Sequence, residues 1–320
     1  MGKSLSEYAA WLEARSDLRW PAPPPRKPVR AEPYLKPLPG IRLVLWDLYG
    51  TLLRISDGEL LFVHPQTIRM EVAWEKTVRE FNMWYAMSRK PGAPWQYLGQ
   101  LYQRVYDELR LAGSGRKGDF TEVHAAVLWR RLLNKLDLEE YRYDETFYGD
   151  LEALAEKIAY FFHASLQGCV LEDQAAATLW AIRQAGYYQG IFADGQCFSM
   201  TQLLRGIAQQ VTLPPLETVL DPSCITLSYQ LGVKKPSRSL YEELLARLRH
   251  LNLEPSQVVC VSARLSNDLA VARSYGLRTV LYAGDQTSLR ADPAELRDPA
   301  LKPDRLITQI AQLRDILHTP

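Results

Sequence analysis

One apolar run, 41-IRLVLW-46, closes on a single carboxylate, Asp47, and a tight turn bearing Gly50 and Thr51 follows at once. Strand signals then vanish between about residues 57 and 167, which carry four helical patterns near 66–89, 94–112, 121–136 and 144–166. Breakers such as 90-KPGAPW-95 and 113-GSGRKGD-119 separate them. In the first pattern Ile68, Val72, Val78 and Phe81 recur at roughly helical spacing, an amphipathic face that needs a partner. A helical bundle lying between one strand and the next is an insertion.

Strand–helix alternation resumes beyond it. The pattern predicts a helix over 173–185, a strand in 187-YYQGIFA-193, a helix from about 198 and a short strand near 217–220. It continues with a helix over 238–250, a strand in 257-QVVCVSA-263, a helix over 266–275, a strand in 277-LRTVLYA-283 and a last helix over 303–317. Continuous apolar strands alternating with helices give an α/β fold with a parallel sheet covered on both faces. Ligands of such sheets sit beyond the carboxyl ends of the strands, which selects Asp47, Ala193–Asp194, and Ala263 onward to Asp268.

The first forty residues differ. Ser6 is placed to cap a short helix with Tyr8, Trp11 and Leu12 on one side. The prolines of 21-PAPPPRKPVRAEPYLKPLPG-40 exclude a helix. That segment is either a flexible linker or, as Tyr34, Leu35 and Leu38 favour, a strap lying on the domain. The division is then 1–40 as N-terminal helix and strap, 41–56 with 168–320 as core, and 57–167 as helical insertion.

A net charge of +1 supplies no overall field to attract nucleic acid or a membrane surface, so any partner has to be argued from a site. No stretch approaches the roughly 20 apolar residues of a membrane span. Cys169, Cys197, Cys224 and Cys260 form no CxxC pair. They read as buried, reduced thiols, which fits the cytoplasm.

At the strand tips, the Asp47 carboxylate is either a nucleophile whose charge is offset by cations or a plain loop acid. Lys235, in 228-SYQLGVKKPSRSLYEELLARL-248, precedes a strong amphipathic helix. It is either a fixed positive charge or a surface lysine. Asp268, in 258-VVCVSARLSNDLAVARSYGL-277, falls in a first helical turn. It either stabilises the helix dipole, holds a metal or orients Lys235. Gly113, Gly115 and Gly118 match GxGxxG but follow a helical stretch rather than a strand, so they read as a loop of the insertion. From that loop Arg116 and Lys117 could dip toward an anion. Trp74, Trp84, Trp95, Tyr102 and Trp129 read mostly as bundle core.

Together these segments resemble the haloacid dehalogenase (HAD) superfamily of aspartate-nucleophile hydrolases. In 43-LVLWDLYGTLL-53 the first motif is recognisable, GIFADG stands at the second, GVKKP at the third and VSARLSNDLAVARSYGL at the fourth. The resemblance covers residues 41 to about 316. It implies a Rossmann-like parallel sheet core with an inserted helical-bundle cap domain of the C1 type. It also implies that Asp47 forms a covalent aspartyl intermediate, that Thr51 supports the turn, and that Lys235 balances the nucleophile's charge. Ala193, Asp194 and Gly195 would border the substrate; Asp194, one residue past the second-motif position, either returns a carboxylate to the crevice and pairs with Arg264 or Lys235, or is a turn residue before Gly195.

Departures from the pattern bear on the reaction. Tyr49 stands where superfamily phosphatases carry the acid that protonates the leaving group. Ala193 replaces a phosphate-binding Ser or Thr, and Ala263 replaces a metal carboxylate. Asp47 and Asp268 are the remaining metal ligands, so Mg²⁺ is at most weakly supported, and Arg264 brings a permanent cation beside the lost acid. The first motif, with Tyr49, resembles the 2-haloacid dehalogenase branch, which uses no metal. Tyr241 matches a tyrosine of that branch, whereas Ala193, Ala263 and Leu265 replace its polar residues. The substrate is therefore expected to be small and anionic, a phosphoester or a 2-haloacid. The alternative is a pseudoenzyme or binding module that keeps the crevice without turnover.

Overall fold

The computed structural model describes residues 2–88, 90–113, 116–137 and 140–317. Its strands are β1 (Leu43–Trp46), β2 (Leu53–Ile55), β3 (Phe120–Thr121), β4 (Cys169–Leu171), β5 (Tyr188–Ala193), β6 (Ile225–Leu227), β7 (Val233–Lys234), β8 (Val258–Ser262), β9 (Arg278–Tyr282) and β10 (Arg305–Ile307). Six of them form one parallel sheet in the order β10-β9-β8-β1-β5-β6. β1 is central, with Trp46 in register with Ile191 on one side and Val261 on the other.

Each β1 side chain is buried because the two sheet faces take alternate residues. Val44 and Trp46 join one core with Leu179, Ile182 and Leu313, whereas Leu43 and Leu45 join the other with Leu240, Tyr241 and Leu244. Burying each such aliphatic side chain stabilises the fold by about 1.5–3 kcal/mol. That alternation fixes which way Asp47, the residue just after the strand, can point.

Between β2 and β4 the chain leaves the sheet and returns. The two strands pair antiparallel, Leu53 with Leu171 and Ile55 with Cys169, so the segments entering and leaving the insertion are bonded to each other. Above this stem stand the helices Thr67–Glu80, Trp84–Met87, Pro94–Leu111, Ala125–Asp137, Glu145–Tyr148 and Leu151–Leu166. The first predicted helix breaks at Asn82 (φ 53) and the last at Gly149 (φ 83). In the first helix the buried face is Met70, Ala73, Thr77 and Val78, with Phe81 just after it. Ile68 and Val72 are exposed, so the inward stripe is turned from the predicted one. Tyr102 and Trp129 are core, Trp74 and Trp95 pack at its margin, and Trp84 is exposed and stacked on Tyr85. Gly115 lies outside the described residues. Arg116 turns to Glu242 (2.9 Å) on the helix Arg238–His250, so it does not dip toward the crevice.

Two predicted elements change type. Residues 216–219 are a short helix (Leu216–Val219), and the strand is Ile225–Leu227 instead. Four apolar-rich residues are too few to separate the two periodicities. Over 303–317 the predicted helix gives way to β10, a 3₁₀ turn and the short helix Leu313–Leu317. Residues 265–269 form a π-turn before the helix Ala270–Ser274. All four cysteines are free; Cys224 and Cys260 are buried, whereas Cys169 and Cys197 are half-buried.

Ser4, not Ser6, caps the first helix, Leu5–Glu13, in a box with Glu7. Tyr8, Ala9 and Leu12 join the insertion's core. This arm also touches both layers. Arg15 pairs with Glu80 and Trp20 meets Phe161 on the insertion, while Glu13 pairs with Arg205 on the sheet side. Residues 21–40 then run as a strap over the sheet. Lys27 N–H donates to Asp285 (2.7 Å), Tyr34 bridges Leu306, and Leu38 N–H donates to the Ile316 carbonyl (3.0 Å).

An arm bonded to both layers restrains their relative motion. Removing residues 2–20 is expected to lower the melting temperature and to speed amide exchange in the helix Leu151–Leu166. Unchanged exchange there would show that the arm restrains nothing.

Candidate active site

The turn after β1 is held by its own backbone. Gly50 N–H donates to the Leu53 carbonyl (2.7 Å) and Thr51 N–H to the Leu48 carbonyl (3.0 Å). Gly50 has φ +87, and a Cβ there would lie 3.0 Å from the Gly58 carbonyl oxygen, so glycine is required. Thr51 Oγ1 accepts Ala263 N–H at 3.0 Å, tying the turn to the end of β8. Thr51 is thus a scaffold residue.

Asp47, Lys235, Asp268, Tyr241, Arg264 and Asp194 converge beyond the sheet's carboxyl edge. Lys235 Nζ lies 2.6 Å from Asp268 Oδ2 and 3.4 Å from Asp47 Oδ1, and it donates to the Phe192 carbonyl at 2.7 Å. Tyr241 OH donates to Asp268 Oδ1 at 3.1 Å, so both oxygens of that carboxylate are engaged. Ser262 Oγ donates to Asp47 Oδ2 at 3.2 Å, and Arg264 Nε stands 3.9 Å from the same oxygen. Arg264 Nη1 reaches Asp194 Oδ2 at 3.0 Å, while Asp194 Oδ1 accepts Lys235 N–H at 2.8 Å.

Burial alone would lower the pKa of Lys235. The carboxylates of Asp268, Asp47 and Asp194 outweigh it and leave the ammonium's pKa raised to about 12. Burial likewise opposes the charge on Arg264, and Asp47 and Asp194 reverse the effect. Both cations therefore stay charged throughout the neutral range. Burial raises Asp268, and Lys235 opposes that.

Mg²⁺ does not fit these residues. It demands an octahedron of free oxygens, but the oxygens of Asp268 are committed to Lys235 and Tyr241, and Asp47 faces Lys235, Ser262 and Arg264. Among the described residues no group of three or more His, Cys, Asp or Glu is arranged to hold a metal.

Tyr49 points elsewhere. Its hydroxyl donates to Gln202 (2.5 Å) and shares a hydrogen bond with Ser199 (2.9 Å). Burial holds the phenol far above its usual pKa. Ala193 is fully buried, and Gly195 N–H donates to Ser228 Oγ at 3.0 Å. A cavity of about 210 Å³ is bordered by Tyr49, Phe62, Tyr106, Glu122, Asp194 and Arg264. A more open crevice of about 630 Å³ adjoins it across Asp194, Lys234 and Arg264. The larger cavity of about 810 Å³ follows the seam between insertion and sheet, and none of the six converging residues lines it.

Glu122 has no sequence signal beyond being an acid between the apolar Phe120 and Val123. It follows β3, which pairs with β7 and so carries the insertion onto the core. Ser228 Oγ donates to it at 2.7 Å and Gln196 Nε2 at 3.1 Å. Burial, helped by Asp194, pushes its pKa up to about 7.

The chain resembles known proteins in sequence and in fold. Residues 233–313 match the HAD-hydrolase-like family model. A glyceraldehyde 3-phosphate phosphatase from Pyrococcus furiosus is 27% identical over 145 residues, 45% of this chain and 53% of that protein. The chain thus matches about half the length of that curated relative. In fold it is similar to a 2-haloacid dehalogenase from Pseudomonas syringae pv. Tomato (TM-score 0.50, 21% identity), covering 86% of this chain and 97% of that one.

Two outcomes check this geometry. Lys235→Ala leaves two buried carboxylates facing each other and is expected to cost about 3–5 kcal/mol in chemical denaturation. Glu122, raised from 4.5 to about 7, favours the folded state while protonated. Its contribution is full below pH 4.5 and is lost as pH rises through about 7. Glu122→Gln should flatten the fall in stability over that window and raise stability at pH 8 by about 2 kcal/mol. An unchanged pH profile would contradict the burial of that carboxyl.

The family model matched over residues 233–313, the partly covered curated relative and the parallel-sheet fold with its helical insertion together make this chain similar to hydrolases of the HAD type.

Proposed function

We propose that the chain hydrolyses a small anionic substrate of the 2-haloacid type without a metal, through an ester of Asp47. The carrying observation is the Arg264 guanidinium, 3.9 Å from Asp47 and 3.0 Å from Asp194, a permanent cation among the carboxylates a divalent ion would need. Residues 41–56 and 168–320 form the catalytic core in this proposal. Residues 57–167 form the cap that excludes water, and 1–40 an added arm. The free thiols support a reducing, cytoplasmic setting.

An Asp47 oxygen attacks the carbon bearing the halogen, the new C–O bond forms, and the halide leaves with the electron pair. That departure needs no proton, so the reaction does not require an acid at position 49. Water then attacks the Asp47 acyl carbon and the acyl C–O bond breaks. The 2-hydroxy acid is released, the carboxylate returns and one proton reaches solvent. Lys235 offsets the charge of Asp47 and opposes the effect of burial on Asp268, while Tyr241 orients Asp268.

One observation favours a second reading, a site that binds anions without turnover. The Asp47 side chain is 1% exposed and has Lys235, Ser262 and Arg264 around it. Halide and phosphate release, each followed with Mg²⁺ and with chelator in wild type and Asp47→Asn, separate the readings. Chelator-resistant halide release that disappears in the variant is expected. Mg²⁺-dependent phosphate release would replace it with a phosphatase, and no Asp47-dependent turnover would leave the binding module.

A further inference from the structure

We infer that Asp194 is an internal stand-in for the substrate's carboxylate, occupying Arg264 until an incoming anion takes its place and thereby setting the site's affinity and selectivity. The inference rests on the anionic substrate proposed above and names the contact that selects it.

Asp194 is the first residue after β5, and its two oxygens do different things. Oδ1 is fixed to the chain by Lys235 N–H at 2.8 Å, and Oδ2 meets Arg264 Nη1 at 3.0 Å. An arginine facing a carboxylate prefers two parallel N–H bonds, and a fork held on one side only is an incomplete pairing. Asp194 and Arg264 line both the 210 Å³ cavity and the 630 Å³ crevice, so their ion pair stands at the boundary between the two. Asp47 lines neither space. An anion entering from either side meets this pair before it meets the nucleophile.

Charge makes the exchange selective. Lys235 Nζ is bonded to Asp268 and faces Asp47, and it acts on Asp194 only through its field, which leaves Arg264 as the cation in direct side-chain contact with Asp194. A neutral ligand that parted Asp194 from Arg264 would strand a partly buried carboxylate and a guanidinium at once. A carboxylate that replaces Asp194 leaves the guanidinium paired and releases Asp194 toward the crevice, still held by Lys235 N–H. Acidic ligands are therefore admitted and neutral isosteres refused.

A double-mutant cycle on the binding of propionate, an inert short carboxylate, tests this by calorimetry. Asp194→Asn keeps an oxygen for Lys235 N–H and is expected to tighten propionate about tenfold. Arg264→Gln should weaken it by at least about tenfold, and the gain from Asp194→Asn should vanish in the Arg264→Gln background. An equal gain with and without Arg264 would reduce Asp194 to a background charge and overturn the inference. So would the absence of propionate binding in every form, or propionamide binding as well as propionate. Asp194→Ser, checked for an intact melt, repeats the cycle if the first variant unfolds. Intact coupling without any Asp47-dependent halide release would remove the proposed reaction and leave this exchange standing; turnover without coupling would do the reverse.

Discussion

A lysine ammonium buried between two carboxylates and a backbone carbonyl is the contact on which the site depends. Lys235 sits before the helix Arg238–His250, Asp47 ends β1 and Asp268 lies in the turn after β8, so one cation joins three separate segments. None of these groups is tolerable alone in so dry a place, because an isolated buried charge costs several kcal/mol. Their mutual pairing offsets that cost, and it fixes both carboxylates at the sheet's carboxyl edge, where the proposed reaction needs them. Stability and the proposed reactivity are therefore the same arrangement seen twice.

Legibility followed chain length and periodicity. The central strands are continuous apolar runs, and they declared both the parallel sheet and the edge where Asp47, Ala193 and Ala263 would lie. The acids were readable because each closes or follows such a strand, and Lys235 because it precedes a strong amphipathic helix. Short elements were not readable. β6 and β10 have three residues each, and their type is set by pairing with Ala193 or Leu281 rather than by local pattern. Glu122 was silent for a related reason: it matters only because β3 meets β7 across a long stretch of sequence. Arg264 was visible as a cation beside a lost acid and Asp194 as a carboxylate that could pair with it or with Lys235; that Asp194 takes the Arg264 side chain with one oxygen and the Lys235 N–H with the other is a matter of side-chain direction, which no spacing encodes.

Insertion and sheet are more than adjacent. β2 and β4 make a bonded stem, β3 crosses to β7, and Gln196 receives Ala125 N–H while donating to the Val123 carbonyl. The N-terminal arm adds a third attachment on another side. The two spaces bordered by Asp194 and Arg264 lie among residues of both layers, and the proposed selectivity rests on the charge pair at their boundary.

The strap across β10 has a consequence for biosynthesis. Tyr34 and Leu38 emerge from the ribosome long before Leu306 and Ile316, the residues that receive them. Residues 34–38 must therefore wait, undocked, until β10 and the helix Leu313–Leu317 have been translated. Only then can they seal the outer margin of the sheet. Until that closure the margin is open to strand addition from a neighbouring nascent chain, and the prolines that keep the waiting segment from pairing with itself are its safeguard.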